Sequence, residues 1–152
     1  MIGLYLETKN KKSKYLEIIL KNVILENYVW SIGYDEVIYS SGASECLPLF
    51  SGTVLNGNDF KNCISDKDYY LLFEEIKAFP QKKTVVEIST FEDYLSSDCE
   101  LIILCYDTVS IEVYSKNTDI LYSIKTNCLN NDFENVEEIY ENTKFREIMY
   151  VR

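Results

Sequence analysis

The chain has 152 residues, 47% of them hydrophobic and 26% charged, with a formal net charge of −10. That length suits one domain spanning residues 1–152, whose core would bury roughly 68–70% of the unfolded surface, and the composition excludes a disordered chain. The acidic balance argues against nucleic acid as a partner, because a field of that sign repels phosphate backbones.

Residues 2–6, IGLYL, read as a first strand. Charge arrives at Glu7, too early for the apolar centre of a signal peptide. In SKYLEIILKNV, Leu16, Ile19, Leu20 and Val23 recur at helical spacing and predict a helix over 13–23. Residues 1–25 carry five lysines against Glu7 and Glu17, a local charge of +3, so the rest of the chain carries −13. Tyr28, Trp30 and Ile32 then alternate onto one face, Gly33 interrupts, and DEVIYS resumes extended: a hairpin or a bulged strand. The stretch from Ser40 to about Asp66 holds Gly42, Pro48, Gly52 and Gly57, with a short helix near Asp59–Cys63. A structureless connection of that length is uncommon, so it is expected to pack down.

YYLLFEEIKAFP fits a helix face through Tyr69, Leu72, Phe73 and Ile76, but its aromatic density and closing Phe79-Pro80 favour a strand. TVVEI follows as a short extended piece, and Thr90 is placed to cap a helix FEDYLSS with Glu92 and Asp93 in its first turn. ELIILCY and VSIEVYS form a hairpin around Asp107-Thr108, leading into helix NTDILYSIKTNCL behind an Asn117 or Thr118 cap. ELIILCY is apolar on both faces and therefore central in its sheet, with something covering Ile102 and Leu104. ENVEEIY and FREIMYV close the chain as two extended segments around the polar turn ENTK. Together these predict an α+β fold: a mostly antiparallel or mixed β-sheet with two to three helices packed mainly on one face.

Histidine is absent, which removes Ser-His-Asp and Cys-His pairs and most catalytic zinc sites. The five cysteines include no pair two to four residues apart, so metal knuckles and thioredoxin-like motifs are missing. Cys99 and Cys105 read as buried thiols on one strand face, and Cys46, in the irregular stretch, is the one to watch for reactivity. Neither GxxxxGK[ST] nor GxGxxG occurs, so no nucleotide cofactor is expected; none of any other kind is, nor a metal. Adjacent carboxylates such as Glu74/Glu75 point opposite ways on a strand and make a poor catalytic pair. The densest acidic group is Glu134, Glu137, Glu138 and Glu141, near Asp132. It reads as a solvated face or as a docking surface for a basic partner.

The order YVWSIG, YYLLFEEIKAFP, ISTFEDYLSSDCELIILCYD and IEVYSKN resembles a family of small bacterial proteins, found mainly in Bacillus and relatives and known as a domain of unknown function. The similarity runs over nearly the whole chain and is most specific at Lys77–Pro80 and Thr90–Leu101. It implies a bacterial cytoplasmic protein with a single α+β domain, and it assigns no activity and no catalytic residue.

No uncharged apolar run approaches the roughly 18–20 residues that span a bilayer. The odd cysteine count lacks the spacing of a secreted disulfide scaffold, so cytoplasmic residence with reduced thiols is expected. The leading functional reading is a non-enzymatic acidic binding module, regulatory or immunity-like, for a basic protein, aided by 13 tyrosines of the kind favoured at interfaces. The alternative is an enzyme or small-ligand protein with a pocket near residues 40–66. A homodimer through a strand edge is a third arrangement.

Overall fold

In the computed structural model, residues 1–39, 45–131, 133–143 and 146–151 are described. Seven strands form one sheet: β1 (Gly3–Thr8), β2 (Tyr28–Ile38), β3 (Val54–Asn56), β4 (Tyr70–Pro80), β5 (Leu101–Tyr106), β6 (Ser110–Ser115) and β7 (Phe133–Ile139). Their spatial order is β3-β2-β4-β5-β6-β1-β7, antiparallel at every junction. Four helices accompany them among the described residues: α1 (Tyr15–Ile19), α2 (Gly57–Ser65), α3 (Phe91–Ser96) and α4 (Thr118–Leu129), with a 3₁₀ turn at Leu25–Asn27.

This corrects the predicted architecture of two to three helices on one side of the sheet. Helices α1, α2 and α4 bury Leu16, Ile19, Phe60, Ile64, Leu121, Ile124 and Cys128 against the first face. Helix α3 lies on the second, where Phe91 and Tyr94 join Ile102, Leu104, Tyr114, Met149 and Val151. The cause is β5, fourth of seven strands and apolar on both faces; Leu101, Ile103 and Cys105 need cover on one side, Ile102 and Leu104 on the other. The cover on the second face is α3 with the irregular segments on either side of the Thr90–Ile148 bridge.

Local signals held where they were strong. Asp107 and Thr108 take positive φ (52° and 63°), the pair of left-handed residues that a tight β-hairpin requires. Thr90 forms a full capping box with Asp93, and the Asn117 side chain accepts from Asp119 N–H and Ile120 N–H at the start of α4. Residues 70–80 are a strand paired on both edges, with β2 and β5. The segment from Tyr28 is one strand whose register shifts twice, the bulged alternative rather than the hairpin.

Others weakened. The helix expected over 13–23 is only Tyr15–Ile19, because Lys14 at its N-cap offers no side-chain acceptor. TVVEI, expected as a short extended piece, joins no ladder and no helix. Among its described residues FREIMYV joins the sheet elements through no ladder, only the isolated Thr90–Ile148 bridge, and its Phe145 lies outside the described residues. Cys99 and Cys105 are both buried, but on opposite faces: Cys99 precedes β5 and packs with Tyr94 and Ile102, while Cys105 packs with Ile103. Five of the tyrosines, at 15, 28, 69, 94 and 114, are core residues rather than interface candidates. No helix among the described residues is long and apolar enough to cross a membrane.

Candidate functional site

The predicted acidic cluster falls on β7, which pairs with β1 along one side and ends the sheet. Strand alternation divides it. Glu138 stands opposite Leu4 on the helix-covered face and pairs with Lys125 of α4 at 3.6 Å. Tyr140 Oη donates to it at 2.8 Å, and that bond holds its carboxyl below the usual range, with Lys125 adding to the effect. Glu137 stands opposite Tyr5 on the other face, where it accepts from Asn135 Nδ2 at 2.9 Å. Glu134 is exposed at the bulge where β7 loses register with β1, and Glu141 is exposed in the turn beyond the strand. Asp132 lies outside the described residues.

Beside Glu137 a cleft of about 670 Å³ is lined by Tyr5, Tyr106, Glu112, Thr143 and Arg146. Arg146 is its cation, and that charge is committed: Nε donates to Glu112 Oε2 at 2.8 Å and Nη1 to the Tyr150 carbonyl at 3.2 Å. Tyr114 Oη donates to the other Glu112 oxygen at 2.7 Å. Burial raises the pKa of Tyr114, and the Glu112 charge raises it further, so this hydroxyl stays a donor. Glu112 and Tyr114 alternate along β6 with Ile111 and Val113, which pack under the helices. Glu112 and Tyr114 themselves point away from the helix-covered face, into a second core.

Of the stretch near residues 40–66, the described part, residues 45–66, packs down. The Asp35 carboxylate accepts from Leu49 N–H at 2.8 Å and Phe50 N–H at 3.0 Å, seating Phe50 on Phe60 with ring centroids 5.1 Å apart. Phe60 in turn stacks on Trp30 at 3.9 Å. Outside this stack lies an open groove of about 560 Å³, lined by Tyr39, Phe50, Asn62, Cys63, Asp66 and Lys67. Residues 40–44 lie outside the described residues, and Cys46 is exposed.

Beneath the same segment, Glu74 stands opposite both Asp35 and Cys105 in the ladders. It is completely buried, and among the described residues neither carboxyl oxygen has a hydrogen-bond partner. Burial raises its pKa well above the usual carboxylate range, and the nearby Asp35 charge adds to that. Neither carboxylate opens into the groove, so the two do not form a catalytic pair facing solvent. Glu75 points the opposite way, as strand geometry requires, and accepts from Val151 N–H at 2.8 Å. Among the described residues no three His, Cys, Asp or Glu side chains gather to hold a metal ion.

The geometry can therefore offer carboxylates to a cation, and the comparisons with known proteins add a lineage. The chain is 31% identical over 145 residues to the uncharacterized protein YncE of Bacillus subtilis (strain 168), covering 95% of each. No solved structure matches it. The family model described as protein of unknown function (DUF2691) matches residues 1–150, and the chain belongs to that family.

Proposed function

We propose that this protein is a non-enzymatic acidic binding module of the cytoplasm, regulatory or immunity-like, which takes a basic protein partner at the β7 end of its sheet. One observation carries the reading: Glu134 and Glu137 on β7 and Glu141 in the turn beyond it are exposed and, among the described residues, in no ion pair, beside a cleft whose arginine is already bound to Glu112. A lysine- or arginine-rich segment would meet carboxylates on the strand and in the cleft together. Such complementarity mainly sets the association rate and partner choice, and it weakens as salt rises. Phosphate-bearing partners are repelled by the same charges.

The test uses two baits, the wild-type chain and the Glu134→Gln/Glu137→Gln/Glu141→Gln variant, in lysate of the host cell. A basic protein should be retained by the wild type at low salt, released at high salt, and recovered roughly ten-fold less on the variant. Equal recovery on both baits, or retention indifferent to salt, sinks the reading. The three positions are exposed, so the variant keeps the fold and the comparison stays clean.

A further inference from the structure

The second face carries a cleft of about 700 Å³ at the opposite end of the sheet from β7, bounded by β2, β4, residues 85–89 and the chain end at Tyr150 and Val151. Lys77 of β4 lines it and is only 9% exposed. Lys77 belongs to no ion pair among the described residues, so the ammonium of this largely buried side chain has no carboxylate in contact. Burial lowers its pKa, while Glu75 and Glu87 act on it through space in the other direction.

Glu75 is held away from it. One of its oxygens takes Val151 N–H, and the other lies against Gly33, where a Cβ would sit 2.3 Å away. Glu87 stands exposed on the facing wall. That wall belongs to no helix or strand, and residues 84–88 make no backbone–backbone hydrogen bond among the described residues. Val85 and Ile88 give the cleft an apolar side, and Tyr34 and Tyr150 stand at its edges.

A desolvated cation without a counter-ion destabilises a fold, and its retention is explained if a ligand supplies the missing charge. A simple anion would also meet Glu75 and Glu87. A simple cation would be set against Lys77. A compound bearing both signs satisfies the cleft, and free amide edges on the 84–88 wall suit a ligand with its own peptide-like groups. The volume lies within the usual range for small-molecule sites. We propose that this cleft binds a zwitterionic amino compound, an amino acid or short peptide, with its carboxylate on Lys77 and its ammonium on Glu87.

Thermal unfolding and calorimetry of the full chain test this with the standard free amino acids and trialanine, each beside its N-acetylated and C-amidated form. A probe at about ten times its dissociation constant should raise Tm by roughly 3–6 °C. Blocking either end should cost roughly ten-fold in affinity, Lys77→Met should abolish binding, and Glu87→Gln should weaken it for free-ammonium probes alone. Preference for amino acids or for trialanine identifies the natural source, and either supports the site. No binding at about 10 mM of any probe overturns it. So does binding that survives blocking of both ends, or that Glu87→Gln leaves unchanged. Glu87 is exposed, so that variant tests the site even where Lys77→Met disturbs the sheet.

Discussion

Arg146 Nε meets Glu112 Oε2 at 2.8 Å, joining the chain's last segment to a strand near the middle of the sheet. The guanidinium also lies over the Tyr106 ring, 4.6 Å from its centroid. Glu112 is nearly fully buried, so its charge depends on this one cation. Replacing Arg146 by Met leaves a buried carboxylate with only the Tyr114 hydroxyl. Loss of one partner of a buried pair costs about 3–5 kcal/mol, and the partial exposure of Arg146 reduces that to about 2–3. Urea unfolding should show this loss, and the Arg146→Met/Glu112→Gln double variant should recover at least half of it. A double variant no more stable than the single would show that the pair is not what holds the segment.

Glu74 gives the fold a pH signature. Its pKa is raised by burial, so the folded state favours the protonated carboxyl. Below the unfolded value of about 4.3, both states carry the proton and the group is neutral to folding. As pH climbs above that, the unfolded chain ionises first, so stability falls until the folded pKa is passed. The Glu74→Gln variant cannot follow this course. It should match or trail the wild type at pH 4 and exceed it by about 1–3 kcal/mol at pH 7. Parallel denaturant titrations across that range measure the gap, and a gap constant with pH contradicts the assignment.

The five cysteines should separate by burial. Cys46 is exposed and Cys63 half-buried, while Cys99, Cys105 and Cys128 are enclosed. Burial pushes the thiols of Cys99 and Cys128 up to about 12 and raises that of Cys105 well above its ordinary value, suppressing the reactive thiolate. A thiol-reactive chromogen should modify Cys46 first, Cys63 more slowly, and the other three only in denaturant. Prompt native labelling of Cys99 would mean that the second face opens.

Gly57 begins α2 against the 3₁₀ turn at Leu25–Asn27. A Cβ there would lie 2.3 Å from the Leu25 carbonyl oxygen and 2.5 Å from Glu26 Cα, both backbone atoms that cannot rotate aside. Gly57→Ala should destabilise by about 1–3 kcal/mol despite alanine's better helix propensity. Gly52, with only a Leu55 methyl 3.9 Å away, is the control and should tolerate alanine. Melting temperatures of the two variants decide it.

Much of the central sheet was legible because its signals are local: the continuous apolar run of β5, the alternation of β6, left-handed turn residues between them, and side-chain caps at Thr90 and Asn117. What escaped depends on partners distant in the chain. Residues 85–91 and 146–151 have no periodicity that announces cover for a second face, yet Ile88, Met149 and Val151 are core. Without that cover in view, the alternation of β6 leaves Glu112 on an open face. Glu74 escaped for a related reason: its ladder partner Asp35 takes the N–H groups of Leu49 and Phe50, a link no short window contains. Cys99 was assigned to the wrong side because strand alternation was extended past the start of β5.

The place of β1 bears on how the chain is made. Of the seven strands of this sheet it is made before the others, yet its two neighbours, β6 and β7, are the fifth and sixth to follow it. Until they emerge from the ribosome, roughly 100 residues later, β1 has no edge to join. At ordinary translation rates that wait is on the order of ten seconds, during which Leu4 and Leu6 stay in search of cover. Nascent chains halted before β6 should therefore engage trigger-type chaperones through their first residues, and those halted after β7 should not.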